Sequence, residues 1–319
     1  MTTPSPDTDF RASGPLRLPR RRWFAALRSV FAQIGQDNVN LVAGGVAFFG
    51  FLSVFPALVA MVSLVGLITD PTDIVDGVGV LAPVFPPGGL DLIRQELTRI
   101  TSNTGQTLLL TTLFSTGLAL WSANRGVKNF SFALTIVHGE DAQRGLIKLN
   151  AISLLLTLML IGAGAAALAV IAVIPLALDL LALAKGTART INVLQWVVLF
   201  SLIVGVTTVL LKVAPDRRDP TWRWAWPGAL VGTILWIAVS VLFSYYVRNV
   251  ANFSATYGSL ATVTVVMLWS YMSAFIFLLG GELNAELEKQ AVGDSTVGGV
   301  QKAGDRGAAP ADTIPDLSS

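Results

Sequence analysis

The chain has 319 residues, 53% of them hydrophobic and only 13% charged, with a mean hydropathy of +0.65 and a formal net charge of +2. A soluble domain carries about a quarter charged residues, so this composition excludes a water-coated globule and specifies an all-α, polytopic membrane protein. Cysteine is absent, which excludes disulfides, thiolate metal sites and a cysteine nucleophile.

Residues 1–22 are polar, hold Pro4, Pro6, Pro15 and Pro19, and lack the apolar core and cleavage site of a signal peptide. They are expected to form a disordered cytoplasmic tail. The stretch RRRWFAALRSVFAQIGQDN follows, with apolar residues at 23, 24, 27, 30, 31 and 34 and Arg20, Arg21, Arg22 and Arg28 around them. This pattern predicts an amphipathic helix on the cytoplasmic leaflet, or an elbow that orients the first span.

A span needs about 20 mostly apolar residues, and five segments supply them: 41–68, 149–174, 191–211, 227–246 and 258–279. A sixth, 107–123, is interrupted by Ser and Thr, whose hydroxyls can bond back to helix carbonyls. Lys and Arg favour the cytoplasmic side. With six spans and both termini inside, 17 of the 22 basic residues fall in inner segments; without the weak span only 9 do. Six spans are therefore expected, forming a membrane domain over 23–290 with a second disordered tail over 291–319.

Shorter elements decorate this frame. Leu90–Ile100 reads as an outer amphipathic helix, with Leu90, Ile93, Leu97 and Ile100 on one face. Leu149–Ala184 is too long for one span, so a break is expected at Pro175, leaving Asp179 at the outer interface. Trp222, Trp224 and Trp226 mark the inner interface, and Pro227 is placed at a first helical position. Small residues predict close helix approaches at Gly44, Gly45 and Gly50, at Gly162–Ala167, at Gly228 and Gly232, and at Gly280 and Gly281; Pro56 interrupts the first span.

No charge falls within the central part of any predicted span, which counts against a pump or proton-coupled carrier. Polar candidates gather at span ends instead. Asn124, Arg125 and Lys128 are placed at the cytoplasmic exit of the second span, and Tyr257 in the last outer loop. Glu282, Asn284, Glu286 and Glu288 end the sixth span, where carboxylates have the wrong sign for the helix dipole. Glu282 is expected to pair with Arg125, against the alternative that all three acids are solvated. All of these side chains except Glu288 form the candidate substrate-binding or gating set. The lone histidine, His138, excludes a two-histidine nuclease, and the acids lack two-metal geometry. No catalytic residue, metal or cofactor is assigned, and the basic loops follow topology rather than nucleic acid.

The sequence resembles the YihY/virulence factor BrkB group of bacterial inner-membrane proteins, once labelled ribonuclease BN, over roughly residues 25–290. Three blocks carry the likeness: VAGGVAFFGFLSVFPALVAMVSLVGL, LWSANRGVKNFSFALTIVHGED, and the stretch from WPGALVG to GGELNAELE, which includes Tyr257-Gly258. Where many relatives read Gly-Ala-Glu-Leu-Asn, this chain has GGELN. The resemblance implies six spans in the inner membrane, no established reaction, and a part in handling envelope lipid. Transport or translocation of a lipid is thus the expected function, and a membrane scaffold the alternative. Membrane lipid, envelope proteins or a second copy of the chain are the expected partners.

Overall fold

The computed structural model describes residues 14–65, 109–141, 144–181, 185–218, 220–251, 253–290 and 307–313, with isolated positions between 88 and 98 and at 304. Among them every regular element is helical. We number the α-helices α1 (Arg20–Gln36), α2 (Val39–Val65), α3 (Leu109–Val137), α4 (Leu146–Leu181) and α5 (Lys185–Val213). After these come α6 (Trp222–Asn249), α7 (Phe253–Tyr257), α8 (Ala261–Lys289) and α9 (Ala309–Asp312). By length and apolarity α4, α5, α6 and α8 can each cross a membrane, and α1 with α2 makes a fifth candidate bent by 73°. The predicted outer helix at Leu90–Ile100 lies largely outside the described residues.

Six helices close a ring. α2 packs on α3, α3 on α4, α4 on α5, α5 on α6, α6 on α8, and α8 returns to α2. In lipid there is no hydrophobic drive between helices, so close packing and interhelical hydrogen bonds must hold such a ring. At the end of the ring that holds the α8 C-terminus, which we call its inner end, Val39 and Ala43 of α2 meet Leu134 and Val137 of α3, Leu211 of α5 and Leu278 of α8 in one buried cluster. A cavity of about 490 Å³ remains above this cluster, and all six ring helices line it.

α1 does more than lie on a membrane surface. Its Ala26 and Val30 pack on Trp224, Leu283 and Leu287, so one face is docked under α6 and α8. Phe24, Leu27 and Phe31 point away, exposed by 71%, 41% and 77%. The turn into α2 places Asn38 at φ 49°, a left-handed conformation that asparagine tolerates better than most residues.

Several boundaries differ from expectation. α3 continues to Val137 instead of ending at Ala123, because nothing in ANRGVKNFSFALTIV breaks a helix. Arg125 and Lys128 therefore lie on a helix and not in a loop. α4 passes Pro175 and ends at Leu181. α6 starts at Trp222, so Pro227 sits inside its second turn and not at its first position. In the stretch expected to be a disordered tail, α9 is folded back onto α8 with Pro310 and Ala311 buried.

The glycines sort sharply. A Cβ on Gly44, Gly45, Gly50 or Gly162 would meet nothing within 4 Å, so these four do not create close approaches. Gly232 meets only ordinary contacts, the nearest 3.7 Å away at the Ile276 carbonyl. The close α2–α3 approach falls at Gly126, where a Cβ would stand 2.7 Å from Ser53 Oγ. That hydroxyl already donates to the Phe49 and Ser122 carbonyls. Gly126→Val should cost about 1–3 kcal/mol through overpacking, read as a lower unfolding midpoint in mild detergent. Adding Ser53→Ala should restore part of the loss; no recovery would show that Ser53 is not the obstacle.

Candidate functional site

The GGELN stretch supplies the tightest junction of the ring. Gly280 of α8 crosses Gly228 of α6 so closely that a Cβ on Gly228 would run into the Gly280 carbonyl oxygen. A Cβ on Gly280 would lie 2.7 Å from the Gly228 carbonyl oxygen. One position on, Gly281 faces α3, and a Cβ there would stand 2.8 Å from Leu134. Asn284, one turn after Gly280 and on the same face, fastens the crossing. Its Oδ1 accepts from the Gly228 N–H at 2.7 Å, and its Nδ2 donates to the Ala225 carbonyl at 2.8 Å. Pro227 lies between those two residues and brings no N–H of its own. Asn284 thus grips the α6 backbone on either side of Pro227, which marks it as a positioning residue.

The three glutamates have three different fates. Glu288 meets Arg217 of the α5–α6 connection, with Arg217 Nη2 at 2.8 Å from both carboxylate oxygens. Both side chains are buried. Glu286 binds Lys289 at 2.6 Å. Glu282 is fully buried, and neither carboxylate oxygen has a hydrogen-bond donor among the described residues. The expected Arg125–Glu282 pair does not form, because α3 carries Arg125 well away from the inner end. The wrong-sign charges are offset from elsewhere: Arg22 of α1 donates to the Gln290 carbonyl at 2.8 Å, placing a cation at the α8 C-terminus.

The neighbouring inner turns are equally well tied. Arg144 bonds the Val213, Ala214 and Pro215 carbonyls and pairs with Asp216 at 3.0 Å. Ser131 donates to the Ala214 carbonyl, and the Asp216 N–H donates to Thr135. The carbonyl of Val213, which ends α5, and those of Ala214 and Pro215 just beyond it therefore find partners. Lys212 sits 5.0 Å from the centre of the Trp222 ring. His138 is buried beside this layer, its Nδ1 2.7 Å from the Leu134 carbonyl. Burial and then the nearby Arg217 charge push its pKa from 6.5 down to about 3, so the imidazole is neutral.

The remaining candidates do not join this cluster. Asn124 is buried on α3, and its Oδ1 accepts from Thr157 of α4 at 3.2 Å. Arg125 lies 4.0 Å from the centre of the Trp121 ring, and Lys128 donates to Asn150 of α4. Tyr257 is exposed and stacks on Phe253 with ring centres 6.0 Å apart, at the end of α7. Pro56 is inside α2, where it removes the N–H that the Leu52 carbonyl would accept. Sequence reasoning missed Arg217, Trp121, Asn150 and Thr157, and also the tryptophans of the cavity. Trp236 donates to Ser273 at 2.9 Å and Trp269 to Ser240 at 3.0 Å, tying α6 to α8 along the cavity wall. Among the described residues no group of His, Asp and Glu could hold a metal ion.

Three outcomes follow from this geometry. Asn284→Leu should lower stability by about 1–3 kcal/mol, since it removes two buried hydrogen bonds between α8 and α6; an unchanged denaturation midpoint would remove Asn284 from the junction. Glu288→Gln should cost about 3–5 kcal/mol by stranding the buried Arg217, whereas Glu282→Gln should cost nothing in the same assay. Acid should also act through His138. Between pH 6.5 and about 3 the unfolded chain binds a proton that the folded chain refuses, so stability falls as pH drops through that window. His138→Gln should flatten that part of the profile, and an identical pH dependence in the variant would discard the assignment.

No solved structure matches this chain. Curated relatives do. A putative ribonuclease-like protein of Bacillus subtilis, YfkH, is 31% identical over 272 residues, covering 83% of this chain and 95% of its own. A UPF0761 membrane protein of Vibrio vulnificus is 25% identical over 284 residues, covering 86% and 87% respectively. A UPF0761 membrane protein of Vibrio cholerae is 25% identical over 274 residues, covering 84% and 89%. The family model for virulence factor BrkB matches residues 30–304. The packed GGELN junction and the helical ring are thus features of a membrane protein that belongs to the virulence factor BrkB family.

Proposed function

We propose that this protein crosses the bacterial inner membrane six times with both termini in the cytoplasm, and that it transports or translocates a lipid or other amphiphilic envelope component. The single observation that carries this reading is the chamber at the centre of the ring. Its lining is almost wholly apolar, from Val46 and Val54 of α2 to Leu202 and Ile203 of α5 and Phe277 of α8. A second cavity of about 310 Å³ shares Val46, Gly50, Phe130 and Leu160 with it and extends it toward Ser53 and Thr157. Sites of this size hold small molecules, and apolar walls favour apolar guests. An acyl or prenyl chain fits that description, and a hydrated ion does not.

The scaffold reading draws on the inner end, where glycine crossings and buried ion pairs leave solid protein. It gives no reason for a chamber lined by all six helices. Loss of a guest is the deciding measurement. Ala274→Phe, which fills the chamber from α8, should abolish translocation of a fluorescent phospholipid in proteoliposomes while the protein stays monodisperse. Equal translocation by the variant and the parent, or none by the parent, would move the protein to the scaffold reading.

A further inference from the structure

The α3 helix carries two cations far from its inner end. Arg125 lies twelve residues before Val137, about 18 Å along the axis. Its neighbours agree on this depth. Gly126 touches Ser53, fourteen residues into α2, and Asn124 bonds Thr157, eleven residues into α4. Those steps correspond to about 21 and 16 Å, against a hydrocarbon core about 30 Å thick. If α3 spans the bilayer, Arg125 is at mid-depth.

Arg125 also faces outward. Gly126, Ala123 and Val127 turn toward α2 and the cavities, and Arg125 occupies the opposite side of the helix, exposed, with Trp121 a turn above it and Phe132 two turns below. Trp121 and Phe132 are 54% and 57% exposed. Lys128 reaches Asn150 on α4, and Leu154 and Leu158 continue that face of α4 at helical spacing, exposed by 42% and 47%. The flank between α3 and α4 is therefore an apolar lane with two cations in it. Neither α3 nor α4 as far as Ile171 carries a carboxylate, and no described carboxylate meets Arg125 or Lys128. A lipid-facing arginine at such depth is costly on its own and marks a pathway or a ligand. Guanidinium pairs with phosphate through two parallel N–H···O bonds, and the ammonium adds a point charge one turn away.

The geometry points to an anionic phospholipid bound on this flank, its phosphate drawn below the membrane surface to Arg125 and Lys128 and its chains lying along Trp121, Leu154 and Leu158. Lys128 and Asn150 stand nearer the inner end than Arg125 does, so the polar groups form a short ladder from the inner surface toward mid-depth. This inference rests on the reading of α3 as a span, and it does not depend on what the central chamber holds.

The test uses the full-length chain in nanodiscs of phosphatidylcholine with a minor fraction of phosphatidylglycerol. Native mass spectrometry counts each lipid retained per chain. The parent should retain phosphatidylglycerol preferentially, Arg125→Ala should reduce that preference about tenfold, the change expected on losing a charge-assisted contact, and Arg125→Lys should keep part of it. Ala274→Phe should leave the preference unchanged, which separates this flank from the chamber. Inorganic phosphate added in excess should not compete; competition would assign the site to a free anion. Equal preference in Arg125→Ala and the parent would overturn the proposal. So would a stable dimer of the parent that Arg125→Ala dissolves, because a second copy would then cover the flank. Should Arg125→Ala fail to fold, Trp121→Leu and Lys128→Gln provide the same readout from either side of Arg125.

Discussion

Contact between two backbones, Gly228 on Gly280, is the constraint from which the rest of the inner architecture follows. Helices that close cannot slide past each other, and no side chain larger than hydrogen fits at the point of contact. The crossing fixes where α8 ends relative to α6, and so where Asn284 finds the Gly228 N–H and the Ala225 carbonyl. It also presents Leu283 and Leu287 to α1 and brings Glu288 down to Arg217. The acidic end of α8 survives in a dipole of the wrong sign because those contacts bring Arg22 and Arg217 to it, beside its own Lys289.

Much of this was legible in the amino-acid sequence and some of it was not. The apolar runs give the helices, because a bilayer allows little else. The helical stripe in residues 23–34 gives α1, and the tight approaches at Gly228, Gly280 and Gly281 were all anticipated. Gly44, Gly45 and Gly50 face open space instead; a glycine is read identically whether its missing Cβ faces a neighbouring backbone or nothing. The exit of α3 was misjudged for a related reason. A polar stretch at a span end reads as a loop, yet ANRGVKNFSFALTIV has no breaker and continues as helix under the packing of α2 and α4. Tertiary partners were the least legible. Glu282 and Glu288 are six residues apart on one helix, and only the path of the α5–α6 connection decides that Arg217 reaches Glu288.

Polar groups are unevenly distributed along the ring. At the inner end they form a dense layer of ion pairs and capped carbonyls. Higher up, sparser bonds cross from helix to helix, among them Ser53 with the Ser122 carbonyl, Asn124 with Thr157 and the two Trp–Ser bonds between α6 and α8. Hydrogen bonds between membrane helices contribute only modestly, about 1 kcal/mol each. The upper contacts therefore orient α6 and α8 along the cavity wall more than they lock it, whereas the inner layer holds several helices at once.

The fold-back of Arg144 onto the end of α5 gives that inner layer a mechanical meaning. Its guanidinium takes the Val213, Ala214 and Pro215 carbonyls while its carboxylate partner, Asp216, is held by Thr135 of α3. Three helices, α3, α4 and α5, are thereby riveted at one end, as α6 and α8 are riveted by Asn284. Rods fastened at one end behave as levers, and a small angular change at the rivet grows into the largest displacement at the far end. A change in bilayer thickness or lateral pressure would thus be absorbed in the half of the ring far from these rivets, with the riveted end acting as its fixed foundation.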